Sequence, residues 1–71
     1  MKTYKDVLEY GKKKLLGCEI EDAQLDAWLL LEHVSGISRS WYFVHENEEI
    51  SQDCIEKYQI LIEQRGKHIP L

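Results

Sequence analysis

Proline and cysteine are both scarce in this chain of 71 residues, which has one proline, Pro70, and two cysteines. Because proline interrupts helices, nearly the whole chain before it can be helical without a break. Cys18 and Cys54 could form at most one disulfide, and they lack the paired spacing of a zinc site. We expect both thiols to be reduced and to pack as small apolar groups, as in a cytoplasmic protein.

Long apolar runs are also missing, which excludes several classes of protein. The longest run, residues 27–31, is far shorter than the roughly 20 residues that cross a bilayer. The first residues lack the apolar core of a secretion signal. An apolar content of 44% is typical of a globular domain. We therefore expect a single small domain with no membrane contact, located in the cytoplasm.

Positive charge is in the minority, since nine Lys and Arg against thirteen Asp and Glu give a net charge of −4. Nucleic-acid affinity depends mainly on Lys and Arg, so we expect no direct DNA or RNA binding. The sequence has no G-x-G-x-x-G loop and no G-x-S-x-G elbow. Its three histidines lie far apart. We predict that the chain contains no catalytic residue, no cofactor-binding residue and no metal ligand.

Apolar residues recur every three or four positions in the first and last parts of the chain, which predicts amphipathic helices there. The first helix should follow Thr3 as N-cap and end at Gly17 as a left-handed C-cap. Gly11 lies in the middle of this helix, where glycine lowers helix stability. Its presence there predicts the close approach of another helix. The last helix should follow Ser51 as N-cap and end at Gly66.

The second predicted helix lies between Asp22, an expected N-cap, and Gly36, an expected C-cap. Leu25, Trp28 and Leu29 widen its apolar stripe almost all the way round. A helix with so little polar surface should be buried, so we expect it to be the central element.

The segment from Ser38 to Val44 is rich in aromatic and β-branched residues, which favour a strand. The chain offers no second strand to pair with it, and an unpaired strand leaves its backbone unsatisfied. We therefore predict a short helix capped by Ser38 or Ser40, followed by an acidic loop over residues 45–49. The predicted fold class is all-α, a small bundle of four to five short helices.

Three adjacent aromatic residues, Trp41, Tyr42 and Phe43, cannot all face one core, because neighbours on a helix point about 100° apart. They either pack as a cap over the end of the central helix or expose an anchor for a partner. As partner-contact residues we select Arg39, Trp41 and Tyr42, whose side chains we expect to be exposed.

Residues 26–36, with the sequence DAWLLLEHVSG, resemble the D-A-x-x-L-L-x-H-V-x-G helix of the N-terminal domain in release-factor glutamine methyltransferases, the HemK/PrmC family. Arg65 and the Pro70–Leu71 pair resemble that family's R-x-x-x-x-P-[LI] pattern at the start of the linker between its two domains. The chain departs from the family pattern at Ala23, where proline is frequent, and at Gln64, where tandem arginines are common.

This resemblance implies a helical N-terminal domain over residues 1–66. Residues 67–71 would begin a linker to a catalytic methyltransferase domain that this chain does not contain. Such enzymes use S-adenosylmethionine to methylate the glutamine of the G-G-Q motif in peptide-chain release factors, and their catalytic signature is Asn-Pro-Pro-Tyr. The single asparagine here, Asn47, precedes Glu48, so none of those residues can be assigned to this chain.

The partners implied by the resemblance are a peptide-chain release factor and the chain's own catalytic domain. The implied cofactor, S-adenosylmethionine, belongs to the full-length enzyme and not to residues 1–71. The alternative interpretation is a stand-alone helical module that binds another protein and has no catalytic half.

Overall fold

The computed structural model describes residues 2–67 and contains four α-helices. They are α1 (Tyr4–Gly17), α2 (Ala23–Ser35), α3 (Arg39–His45) and α4 (Gln52–Gly66). The long helices α1, α2 and α4 pack against one another, and α3 joins them through aromatic contacts. The all-α prediction is confirmed. The greater part of the predicted linker, residues 68–71, lies outside the described residues.

Tyr58 lies where the three long helices meet and has no solvent exposure. Its hydroxyl donates a hydrogen bond to the carbonyl of Ala27 at 2.9 Å, which ties α4 to α2. A Cβ atom at Gly11 of α1 would overlap the Tyr58 hydroxyl and lie 2.8 Å from Cζ. The predicted close approach at Gly11 is therefore confirmed, and a tyrosine of α4 makes it.

The start of α1 is fixed by its own side chains and by a distant loop. Thr3 Oγ1 accepts from the N–H of Asp6 at 3.2 Å, and Asp6 Oδ2 accepts from the N–H of Thr3 at 3.0 Å, which forms a capping box. The N–H groups of Tyr4 and Lys5 donate to the carbonyls of Glu48 and Glu46 at 3.1 and 2.9 Å respectively. The loop before α4 therefore satisfies donors that a helix start leaves open.

The predicted caps of α2, α3 and α4 occupy the expected positions, and α4 ends at Gly66 as predicted. Ser38 Oγ accepts from the N–H of Trp41 at 3.1 Å at the start of α3, and Ser51 caps α4 in the same way. Gly36 ends α2 with a φ of +71°. Asp22 is the N-cap residue of α2, as predicted, but its side chain makes no capping hydrogen bond.

The end of α1 differs from the prediction that Gly17 would be a left-handed cap. Gly17 is the last helical residue, and the left-handed residue is Glu19, with a φ of +60°. The N–H of Ile20 donates to the carbonyl of Leu15 at 3.1 Å, as in a Schellman motif. Ile20 and Leu15 are both buried. Burial of this apolar pair places the chain reversal two residues after the glycine.

The expectation that α2 is buried on nearly every side is wrong at two positions. Leu25 is 50% exposed and Leu29 is 46% exposed, although Trp28 between them is buried. The two leucines lie one turn apart and share the outward side of α2. This side is open to solvent at both leucines, while Trp28 packs against Tyr42 of α3. None of the described helices is long and apolar enough to span a bilayer.

Candidate docking surface

The three predicted partner-contact residues occupy different environments on α3. Arg39 is exposed, as predicted. Trp41 is half-buried, because its ring packs edge-on against Tyr4 at 5.0 Å and stacks on His45 at 4.3 Å. Tyr42 is only 8% exposed, so the expected exposure is wrong for this residue. Whether any of them contacts a partner stays a prediction.

Tyr42 is buried because it is the position of α3 that faces the core. Its ring packs edge-on against Trp28 of α2, with 5.5 Å between the ring centroids. Desolvation raises the pKa of the Tyr42 phenol above 10.0, so the side chain is neutral near pH 7. The residue that extends into solvent is its neighbour Phe43, which is 68% exposed. Sequence reasoning missed Phe43 as the exposed member of the aromatic cluster.

Arg39 is held over an aromatic ring. Its guanidinium carbon lies 5.0 Å from the centroid of Trp28, a cation–π distance. Within residues 2–67, no carboxylate lies within 4.0 Å of this guanidinium. A contact with the ring face leaves N–H donors of the guanidinium available for an acceptor. Arg39 is thus oriented by the protein and still able to bind a carboxylate.

Three helices surround a surface groove of about 180 Å³, which we call the aromatic groove. Each helix contributes a pair of residues four positions apart, and α3 adds Tyr42. The lining residues are Leu8 and Lys12 of α1, Gln24 and Trp28 of α2, and Arg39, Tyr42 and Phe43 of α3. The buried apolar members form the floor, and the exposed ones form the rim.

The size of the aromatic groove limits what it can hold. Pockets for small molecules and cofactors are about 300–1,000 Å³, which exceeds the 180 Å³ measured here. A wider depression of about 500 Å³ adjoins it at the start of α2, where Glu21 and Asp22 lie near Arg39. A single large side chain of another protein fits the smaller groove better than a nucleotide does.

An ion pair fixes the end of α4 to α2. Arg65 Nε and Nη2 each donate to Asp26 Oδ2 at 2.9 Å. The side chains are partly buried, with 30% and 18% exposure respectively. Both residues belong to the motifs that carried the family resemblance, and the structure gives them a packing role across 39 positions of sequence.

Other reactive side chains are dispersed over the described surface. Within residues 2–67, no group of three His, Cys, Asp or Glu side chains could hold a metal ion. Cys18 and Cys54 are both free thiols, and the Cys54 thiol donates to the carbonyl of Val34. His45 pairs with Glu48 beside the ring of Trp41. The arrangement is suited to binding another molecule through aromatic, aliphatic and basic groups.

The fold defines a small helical domain that carries the aromatic groove on its surface. The chain belongs to the PrmC N-terminal domain family, whose sequence profile matches residues 6–71. It is 33% identical over 67 residues to a release factor glutamine methyltransferase of Deinococcus radiodurans, an alignment that covers 94% of this chain and 24% of that protein. The chain therefore spans about a quarter of the length of this curated relative. No solved structure matches it.

Proposed function

We propose that this chain is the substrate-docking domain of a release factor glutamine methyltransferase. In this proposal the domain binds and orients the peptide-chain release factor, while a separate domain binds S-adenosylmethionine and methylates the glutamine of the G-G-Q motif. Both proteins would meet in the cytoplasm. The observation that carries the proposal is the match of nearly the whole chain to about a quarter of a relative with that name.

The physical character of the described residues supports a binding role. Each of α1, α2 and α4 packs an apolar face into the core. The surface carries, among other features, a groove with an aromatic floor, a basic rim and the exposed ring of Phe43. Binding energy from a contact remote from the reacting glutamine lowers KM without itself performing the chemistry. A docking domain of this kind needs neither a cofactor pocket nor shifted catalytic groups.

The proposal is tested by methyl transfer with the full-length protein and with the present chain. Each is incubated with release factor and S-adenosylmethionine, and the G-G-Q peptide is analysed by mass spectrometry. We expect methylation by the full-length protein and none by residues 1–71. Methylation by the short chain alone would contradict the proposed division of roles, and so would a full-length protein that leaves the factor unmodified.

The alternative, a stand-alone interaction module, is favoured by the exposed leucines on the outward side of α2. Leu25 and Leu29 could bind a partner unrelated to methylation. The two functions differ in the rest of the coding sequence. A methyltransferase requires a downstream domain with an Asn-Pro-Pro-Tyr signature, whereas a module would lack it.

A further inference from the structure

We infer that the aromatic groove binds a segment of the release factor that carries a large apolar side chain next to a carboxylate. This inference rests on the proposed function and adds the chemistry of the docking segment. The apolar side chain enters the groove, and the carboxylate pairs with Arg39. The geometry of the groove supports the apolar side chain, and its charge supports the carboxylate.

The geometry comes from the floor and rim of the groove. Trp28 and Tyr42 are buried and pack edge to face, so the floor is formed before a partner arrives. Phe43, at 68% exposure, extends the apolar surface outward at the rim. Aromatic residues in a preformed depression are the usual anchors of protein interfaces. The volume of about 180 Å³ suits one large side chain.

The charge comes from Arg39 and Lys12, which line the groove from opposite helices. Lys12 Nζ lies 3.8 Å from Glu9 Oε1 in a partly exposed pair on α1, so its charge is partly compensated. Arg39 has no such partner in the described part of the chain, and Trp28 holds it in place. A guanidinium oriented in this way suits a planar carboxylate.

Acidic residues near Arg39 restrict where that carboxylate can lie. Glu21 and Asp22 border the adjoining depression, which Arg39 also lines. A carboxylate on that side would meet like charges, whereas the aromatic groove has no acidic lining residue. The docking segment therefore places its acid on the groove side of Arg39, beside its apolar anchor. The overall charge of −4 makes the phosphate backbone of a nucleic acid a poor ligand for this surface.

The test uses the full-length enzyme and measures KM and kcat for release factor methylation. Arg39→Glu should raise KM about tenfold or more at low salt, with little change in kcat at saturation. The difference from wild type should shrink as salt screens the pair. Phe43→Ser should also raise KM, but without the salt dependence. Arg39→Lys should give an intermediate KM, since lysine keeps the charge and loses the planar fork.

The matched control is Val44→Ser on the same helix. Val44 is 78% exposed and does not line the groove. Its substitution should leave KM within about twofold of wild type. Circular dichroism on each variant confirms that the helices are retained. Single Asp or Glu to Lys changes in the factor are then screened against Arg39→Glu, and one of them should restore a low KM.

The inference is wrong if Arg39→Glu and Phe43→Ser both keep KM within about twofold of wild type while the enzyme still methylates the factor. It is also wrong if no charge reversal in the factor rescues Arg39→Glu. A full-length enzyme that methylates no release factor would instead refute the proposed function. The two failures are therefore distinguishable.

Discussion

Replacing Gly11 with alanine tests the packing at the centre of the bundle. Helix propensity alone predicts stabilisation, because glycine within a helix costs about 1 kcal/mol relative to alanine. The structure predicts the opposite sign. The added methyl would overlap the hydroxyl of Tyr58, and the whole ring is enclosed by the core.

The magnitude follows from what Tyr58 would lose. Overpacking a core by one methyl costs about 1–3 kcal/mol. If the ring moves, its hydroxyl leaves the carbonyl of Ala27, and an unsatisfied buried hydroxyl costs a further 1–3 kcal/mol or so. The propensity gain offsets only about 1 kcal/mol of this. We expect Gly11→Ala to destabilise the domain by about 1–5 kcal/mol in total, with the upper end reached if the Tyr58 hydrogen bond is lost.

Urea unfolding followed by circular dichroism measures this effect, with the midpoint expected to fall at an unchanged slope. Gly17→Ala is the matched control, because Gly17 is the last residue of the same helix and a Cβ there meets nothing within 4 Å. That control should be neutral or slightly stabilising. The cost of Gly11→Ala should be smaller in a Tyr58→Phe background. If Gly11→Ala raised the midpoint as the control does, the described contact would be wrong.

Three further predictions concern the chain reversal, the ion pair and the first cap. Glu19→Gly should stabilise the domain by about 0.5–1 kcal/mol in urea unfolding, since glycine adopts a positive φ without the strain of a side chain; a lower midpoint would refute the left-handed turn. Arg65→Met should lower the free energy of unfolding by about 1–2 kcal/mol, between the values for exposed and buried ion pairs. Asp26→Asn should lower it less, because asparagine keeps an acceptor. An unchanged free energy of unfolding in Arg65→Met would refute the α2–α4 link. Hydrogen bonding to the backbone of Thr3 lowers the pKa of Asp6 below 3.8, so its stabilisation is present above that pH and is lost as pH falls through the folded-state pKa. The midpoint temperature of thermal unfolding should therefore fall less steeply between pH 5 and pH 2 in Asp6→Asn than in wild type. Equal slopes would contradict the capping box.

Features encoded by neighbouring residues could be predicted from the sequence. The hydroxyls of Thr3, Ser38 and Ser51 cap helices because each needs only an N–H three residues further along the chain. The left-handed turn at Glu19 could not be located in this way. It depends on the burial of Ile20 against α1, which is a tertiary contact.

The candidate site was only partly predictable for the same reason. Arg39 was identified from its place in a short aromatic helix, and the structure leaves it exposed. Whether Tyr42 or Phe43 faces the core depends on the rotation of α3, which its contact with Trp28 sets. The apolar pattern of α2 likewise could not show that Leu25 and Leu29 lie on an uncovered side.

Removal of residues 1–66 from the proposed full-length methyltransferase tests the proposed docking role most directly. The KM and kcat of the shortened enzyme are measured with intact release factor and with a short G-G-Q peptide. We expect KM for the intact factor to rise about tenfold or more, while the rate on the peptide stays unchanged. An unchanged KM for the intact factor, or loss of methylation of the peptide, would contradict a domain that binds substrate and leaves the chemistry to another part of the protein.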